Sequence, residues 1–493
     1  MKEFDNALAP ILTRIVNLSL ASSTFAENWK DAIVLPLIKK ASLDKNVLKN
    51  YRPISNLSFL SKLTEKAALS QVCPYLEDNS LLPSYQNAYR KYHSTETAIL
   101  KLVNDLLWNM ERQEVTSLIA IDLSAAFDTV DHDTLLCVLN KCFGFENDAL
   151  QWFESYLRPR KMHVVIPGST SKPSELSFSV PQGSVAGPIL YTMYASTMAS
   201  AVNDQNITGY ADDHAIYSSF KPRTPSELQT ITKQEQCLES VKTWMSQNRL
   251  KMNDDKTEVI LFGHRSQLKK CDTTHVKVGS TAVAVSDQIK YLGVYTDREL
   301  SFKHHIINKS KIAAVNLRNI RNIRKHLSDS SCKTLIQALV MSHLDYSNAV
   351  FIDLPAVTLR PAQRIQNFAA KVILNRGYRG SVSDALKELH WLPIYQRCKF
   401  KVLLQVYKCL HNQAPDYLKD LLISQPSRRY TRSSANCDNL IVPLTKRATF
   451  AARSFSVAAP KYWNSLPRDV KLCATTELFR RKLKTFLFNE HFN

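Results

Sequence analysis

Apolar positions follow two different periods in the first 300 residues and essentially one afterwards. Leu8, Ile11, Leu12, Ile15, Val16 and Leu18 recur at helical spacing and predict a helix within residues 1–30. AIVLPLI (32–38) is a short apolar run between Asp31 and Lys39-Lys40, which predicts a buried strand. Residues 56–82 read as a helix ending near Pro83. Thr95 to Met110 reads as another, with Ile99, Leu102, Leu106 and Leu107 on one side. VTSLIAIDLS (115–124) is β-branched and apolar up to Asp122 and predicts a strand; 133–143 returns to helical spacing. MHVVIPG (162–168) and ELSFSVPQG (175–183) read as strands, and 189–202, after Gly187-Pro188, as a helix. ITGYADDHAIYSSF (207–220) predicts two strands around a tight turn at Ala211-Asp212-Asp213. An amphipathic helix (227–250) and two strands, KTEVILFG (256–263) and IKYLGVYTD (289–297), complete this part. Residues 303–375, 383–423 and the terminal TTELFRRKLKTFLFNEHF read as helices. The pattern is α+β first and all-α second.

Charge divides at the same place. The 493 residues carry a net charge of +20, but residues 1–300 hold 32 Lys+Arg against 33 Asp+Glu, whereas 301–493 hold 32 against 11. So basic a second part suggests a polyanionic partner, most often nucleic acid. No run of about 18 apolar residues predicts a membrane span, and the N-terminus, interrupted by Glu3, Asp5, Arg14 and Asn17, lacks the apolar core of a signal peptide. The ten cysteines include no C-x-x-C pair, which argues against a structural zinc site and fits reduced thiols in a nuclear or cytosolic compartment.

Three features carry chemistry. Asp212-Asp213 at a hairpin turn could hold divalent cations, because hard ions prefer carboxylate oxygen. Taken alone this is weak, since most Asp-Asp pairs are solvated turn residues. Asp122 ends an apolar strand, where a carboxylate is costly to bury unless paired or metal-bound; a strand-end cap is the plainer alternative. Together the three could form a two-metal site for in-line displacement by a 3′-hydroxyl. VPQGS (180–184) adds a glycine that permits close backbone approach and a glutamine with both donor and acceptor.

Asp122 to Phe127 (D-x-x-x-x-F), then PQG, then YADD, in this order and spacing, resemble the palm of a reverse transcriptase. WKDAIVLPLIKK, NYRPISNLSFLSKLTE, AYRKYHSTETAI, IDLSAAFDTVDH, SVPQGSVAGPILY, NDDKTEVILFG and IKYLGVYTDREL extend the likeness to eukaryotic non-LTR (LINE-type) retrotransposons of the jockey and chicken-repeat groups. LKELHWLPIYQRCKFKVLLQVYKCLHNQAPDYL and SFSVAAPKYWNSLPRDVK resemble the same group, so the likeness covers nearly the whole chain.

The resemblance implies roles. Asp122, Asp212 and Asp213 would be catalytic and would ligate two Mg²⁺ ions, with Mn²⁺ as a possible substitute and the Leu123 carbonyl as a further ligand. Phe127 matches the aromatic gate that excludes a 2′-hydroxyl. Gln182 and Gly183 would contact the incoming nucleotide, and Lys39, Lys40 and Arg52 match basic finger residues that clamp triphosphate oxygens. Lys256 matches a lysine that assists pyrophosphate departure, although a plain charge at a helix–strand junction reads equally well. Tyr291-Leu292-Gly293 would belong to a primer-gripping hairpin, and Tyr210 would pack beneath the primer end. Ala186 and His214 depart from the family's usual larger aliphatic and small polar residues.

The implied architecture is a right-hand polymerase of α+β type. A helical lead-in (1–30) would precede fingers and a palm with an antiparallel sheet (31–300), a helical thumb (301–375) and a basic all-α region (376–493). The implied partners are an RNA template, a DNA primer or nicked target DNA and deoxynucleoside triphosphates, in a nuclear or cytoplasmic ribonucleoprotein and away from membranes. The family's N-terminal endonuclease domain is not expected in this chain, since only about 30 residues precede the finger motifs. Two alternatives stand beside this reading. One is an RNA-dependent RNA polymerase, against which Ala211 and Phe127 argue. The other is a decayed or co-opted copy that only binds nucleic acid. Within the basic part, Arg318, Arg321, Arg324 and Lys325 share one predicted helix and suit phosphate contact. His390-Trp391 and Trp463 could stack on bases or fill the core.

Overall fold

In the strand Val115–Ile121, every residue but Ala120 is buried, because its two faces feed two separate cores. Leu118 packs with Ala215, Tyr217, Ile260 and Phe262 on one side. Val115, Ile119 and Ile121 pack with Ile216, Val259 and Leu261 on the other. The period-2 alternation of side chains makes such a strand the middle of a three-layer arrangement.

The computed structural model describes residues 5–124, 127–202, 205–376, 380–425, 439–446 and 450–492. Residues 1–4 of the expected N-terminal helix and Ala125-Ala126 of the D-x-x-x-x-F segment lie outside them. The described strands are β1 (Ala32–Ile38), β2 (Tyr51–Asn56), β3 (Val115–Ile121), β4 (Leu123–Ser124), β5 (Arg160–Ile166), β6 (Ser169–Thr170), β7 (Ser174–Leu176), β8 (Asn206–Tyr210), β9 (Asp213–Phe220), β10 (Lys251–Met252), β11 (Glu258–Phe262), β12 (His275–Val278), β13 (Thr281–Ser286), β14 (Gln288–Tyr291) and β15 (Val294–Asp297). The larger helices are α1 (Asp5–Ala21), α2 (Phe59–Asp78), α3 (Thr95–Glu111), α4 (His132–Phe143), α5 (Asn147–Leu157), α6 (Gly187–Tyr194), α7 (Pro225–Gln247), α8 (Lys303–Asn322), α9 (Ala356–Ile373), α10 (Ile394–Leu410), α11 (Phe455–Asn464) and α12 (Thr476–Phe492).

A six-stranded sheet runs β12-β13-β11-β3-β9-β8, antiparallel except for β13 against β11. A second sheet, β2-β1-β5-β6 with β7 also on β5, stands apart from it in the hydrogen-bonding pattern. α4, α5, α6 and α7 cover one face of the six-stranded sheet. α3, the β14–β15 hairpin and the helices after residue 300 cover the other, in a single core that continues through Trp463 and Phe479 to Leu487. Among the described residues, no helix is long and apolar enough to cross a membrane.

The α+β-then-all-α order holds; three local readings need correction, and two elements went unread. AIVLPLI forms β1, but Ile33, Leu35 and Leu37 are 38%, 41% and 56% exposed, because only one face of this sheet is covered. IKYLGVYTD is not one strand but the β14–β15 hairpin, turning at Leu292 (φ +44°) and Gly293 (φ +80°); two successive positive φ values suit a two-residue hairpin loop. ELSFSVPQG is a strand only over β7, since beyond it Pro181 lacks a donor and Gly183 sits at φ +131°. β2 and the β12–β13 hairpin had no clear signal in the pattern: β2 contains Pro53, which an edge strand tolerates.

Candidate active site

The register of the central sheet assembles the carboxylates. β3 pairs with β9 so that Ile121 faces His214. The next residue outward on each strand is therefore Asp122 on one and Asp213 on the other. β8 pairs with β9 through Tyr210 and Asp213, leaving Ala211-Asp212 as a two-residue turn. Ala211 takes φ +57°, an uncommon conformation for a residue with a Cβ.

Neighbouring groups hold that turn. Buried Gln86 accepts from the Ala211 amide (2.9 Å) through Oε1 and donates to the Ala211 carbonyl (3.3 Å) through Nε2. His214 is buried and donates from Nδ1 to the Asp212 carbonyl at 3.1 Å, which fixes the proton on that nitrogen. Burial pushes His214 down to about 4, so the ring is neutral. Gly209 lies opposite His214, and a Cβ there would meet the imidazole at 2.8 Å; the glycine makes room for the histidine.

Two of the three carboxyls are raised. Burial raises the Asp212 carboxyl, and Asp122 adds to it, against the opposing pull of a backbone hydrogen bond and Arg52. Asp213 has an edge open to solvent, yet partial burial, then Asp212, then Asp122 push it up to about 6. Asp122 Oδ2 instead accepts from Lys256 Nζ at 3.1 Å and from Asn253 Nδ2 at 3.4 Å. The β4–β10 ladder, pairing Leu123 with Met252, brings Asn253 and Lys256 to this position. Among the described residues, no three His, Cys, Asp or Glu side chains stand close enough to close on a metal ion as they are.

The 180–187 loop is fastened beside them by a side chain the sequence reading passed over. Glu65 of α2 is fully buried; its Oε2 accepts from the amides of Val185 (2.6 Å) and Ala186 (3.0 Å), and its Oε1 from the Ser61 hydroxyl (2.8 Å). Gln182 donates to Asp128 at 2.9 Å, and its carbonyl accepts from the Ser55 amide at 2.8 Å. A Cβ on Gly183 would lie 2.2 Å from the Ser55 carbonyl oxygen, so its close approach is to strand β2 of the chain itself. Phe127 is half-buried and stacked on Tyr191, with ring centroids 4.8 Å apart. Its carbonyl accepts from the Val180 amide at 2.9 Å.

The expected basic residues divide. Arg52, exposed on β2, lies near enough to Asp212 to lower its carboxyl, and Lys39 does the same to Asp128 while donating to the Lys49 carbonyl at 2.7 Å. Lys40 is exposed beyond β1, and the structure brings it to none of these groups. Tyr291 is buried beneath the β14–β15 turn, near enough for Asp213 to contribute to its raised phenol pKa after burial. Tyr346 locks that turn by donating to the Leu292 carbonyl at 2.7 Å.

A family model described as "Reverse transcriptase (RNA-dependent DNA polymerase)" matches residues 38–296, more than half of the chain. The chain belongs to this family. The chain is 29% identical over 311 residues to the RNA-directed DNA polymerase from mobile element jockey of Drosophila melanogaster, covering 62% of this chain and 33% of that one. It is 29% identical over 302 residues to the probable RNA-directed DNA polymerase from transposon BS of the same species, covering 60% and 32%. The chain thus spans about a third of the length of these relatives. A solved apo telomerase from Candida tropicalis matches loosely, at 12% identity over 78% of this chain and 70% of that one, with a TM-score of 0.39.

After residue 300, Arg324 is spent internally. It donates to the carbonyls of Leu327, Val372 and Ile373 at 2.7, 2.9 and 2.8 Å and pairs with Asp329. Those carbonyls include the end of α9, so Arg324 caps a helix. Arg321 stacks on Phe368 and, with Lys325, Lys371 and Arg376, lines a groove of about 670 Å³ that has no acidic residue among the described residues of its wall. Trp391 and Trp463 are 5% and 2% exposed and belong to the core. His390 stacks on Phe488 at 4.1 Å.

Proposed function

We propose that this chain is the RNA-directed DNA polymerase of a non-LTR retrotransposon, extending a DNA 3′-hydroxyl on an RNA template with deoxynucleoside triphosphates. The observation that carries the reading is the β3–β9 register that sets Asp122 beside the Asp212-Asp213 turn, in a chain of this family. The three carboxylates suit Mg²⁺: their oxygens are hard donors, two of them are raised by burial and by neighbouring carboxylates, and the third already holds an ammonium group. Asp122, Asp212 and Asp213, with the Leu123 carbonyl, would hold the ions, which when bound activate the attacking hydroxyl and stabilise the leaving pyrophosphate.

The remaining work falls to side chains. Arg52 and Lys39 neutralise triphosphate oxygens from the finger strands; Arg52 can do so bidentately. Phe127, braced by Tyr191, presents a rigid ring beneath the incoming sugar and leaves no room for a 2′-hydroxyl. Gln182 and Gly183 shape the base-side wall. Lys256, released from Asp122, offers its charge or proton to pyrophosphate as it leaves. The Tyr291–Gly293 hairpin steadies the primer, and the basic groove after residue 300 holds template–primer by its phosphates. Template-dependent extension of a DNA primer on RNA, with Asp212→Asn and Asp213→Asn combined as the control, tests the proposal; extension surviving in that variant would sink the mechanism.

A further inference from the structure

The all-α region approaches the catalytic turn from behind. α3 faces the six-stranded sheet on one side, where Tyr217 of β9 donates to Asp105 at 2.8 Å. Its other side is bonded to C-terminal helices: Trp108 donates to the Ser456 hydroxyl (2.7 Å), Asn104 accepts from the Ser456 amide (3.0 Å), and Lys401 pairs with Glu96 (2.7 Å). The C-terminal region is therefore fixed on the back of the sheet that carries the aspartates.

One contact goes further. β8 is the last strand of its sheet, and Tyr85–Asn87 runs along its open edge. The Gly209 amide donates to the Tyr85 carbonyl (3.0 Å), and the Asn87 amide donates to the Gly209 carbonyl (2.9 Å). The same segment carries Gln86, the clamp on Ala211. The Asn87 side chain reinforces it, with Nδ2 donating to the carbonyls of Gly209 (3.1 Å) and Tyr85 (2.9 Å). This needs the amide to face those two carbonyls. Tyr417, on the short helical turn Asp416–Lys419, holds its other end, the hydroxyl donating to Asn87 Oδ1 at 2.5 Å. Without that hydroxyl Oδ1 loses its donor inside the protein and the side chain is held at one end only. Gly209 is two residues from Ala211 and three from Asp212.

We propose that Tyr417 is a positioning residue for nucleotidyl transfer: through Asn87 and the Gln86 segment, the C-terminal region sets the backbone of the Gly209–Ala211 turn and hence the placement of Asp212 and Asp213. The proposal rests on the polymerase reading above. Tyr417→Phe removes one hydroxyl and keeps the ring against His93, 5.9 Å away.

The test uses the full chain and compares wild type, Tyr417→Phe, Gln86→Met and the double variant, with thermal melting as the check on folding. Loss of one hydrogen bond, about 1 kcal/mol, corresponds to roughly a fivefold fall in kcat. Nucleotide KM and template–primer affinity should stay within about twofold, and the double variant should lose no more than Gln86→Met alone. A kcat within about twofold of wild type, or losses that multiply in the double variant, overturns the proposal. Should Tyr417→Phe not fold, Asn87→Asp keeps the acceptor facing Tyr417 and sets an oxygen against the Gly209 carbonyl; it must lower kcat at least as far. Hydrogen exchange at the Ala211 amide provides a reading independent of extension: protection should fall in Tyr417→Phe, and unchanged protection overturns the proposal. Failure of the wild-type chain to extend any primer would instead overturn the polymerase reading.

Discussion

Replacing Glu65 with alanine would leave two buried donors with nothing to bond. Its Oε2 receives the Val185 and Ala186 amides at 2.6 and 3.0 Å, and Glu65 itself has no exposed surface through which water could substitute. A buried polar group left unpaired costs about 1–3 kcal/mol, so the two amides together set the loss at about 2–6 kcal/mol. Glu65→Gln should cost less, about 1–2 kcal/mol, because the amide oxygen can still face both N–H groups while its NH₂ turns to the Ser61 hydroxyl. Urea unfolding of the three proteins measures these differences. The functional consequence follows from the chain: Val185 and Ala186 lie two and three residues beyond Gly183, so loosening them frees Gln182 from its register against Ser55 and Asp128. Nucleotide KM should rise in the alanine variant more than in the glutamine one. A loss below about 1 kcal/mol for Glu65→Ala, or equal losses for the two variants, would refute this account of what fastens the loop.

Other expectations follow from the same geometry. Phe127→Ala should lower the preference for deoxynucleotides over ribonucleotides in competition assays, since it empties the space above Tyr191; unchanged selectivity would remove Phe127 from its role. Asp213 is raised to about 6 in the folded chain against about 4 when unfolded, so the folded state retains a proton the unfolded state has released across that window. Its stabilising contribution is therefore complete below about pH 4 and lost as pH rises towards 6. In EDTA, Asp213→Asn should flatten that part of the stability–pH curve. Combined Arg321→Glu and Lys325→Glu should weaken template–primer binding and reduce its salt slope by about one unit for each phosphate no longer neutralised. A slope identical to wild type would take the groove out of the interface.

The sequence made the skeleton of the site legible wherever residue spacing is itself the geometry. Asp122 at the end of an apolar strand and Asp212-Asp213 at a hairpin tip need only the right strand pairing to meet, and β3 does lie next to β9. What holds the site was not legible. Glu65 reaches a loop 120 residues away, and Tyr417 reaches Asn87 across 330 residues. Both stand inside family-like segments, Glu65 at the end of NYRPISNLSFLSKLTE and Tyr417 next to the end of LKELHWLPIYQRCKFKVLLQVYKCLHNQAPDYL, but local spacing does not say which distant group each one meets. Gln86 stands two residues before the family-like segment AYRKYHSTETAI, and its partner on the turn is equally remote in the chain. Charge marked a boundary that the packing does not keep. The excess of basic residues begins after residue 300, yet the helices that carry it share a core with the sheet that carries Asp213. Arg324, counted among the phosphate-binding residues, is consumed in capping α9.

The most direct test of the central claim is single-turnover primer extension on an RNA template in Mg²⁺, comparing the wild-type chain with Asp212→Asn/Asp213→Asn at matched template–primer occupancy. The account predicts templated DNA synthesis by the wild type and none by the variant, with template–primer affinity retained in both. Extension by the variant at a rate near wild type, or the absence of any synthesis by a folded, template-bound wild-type chain, would contradict it.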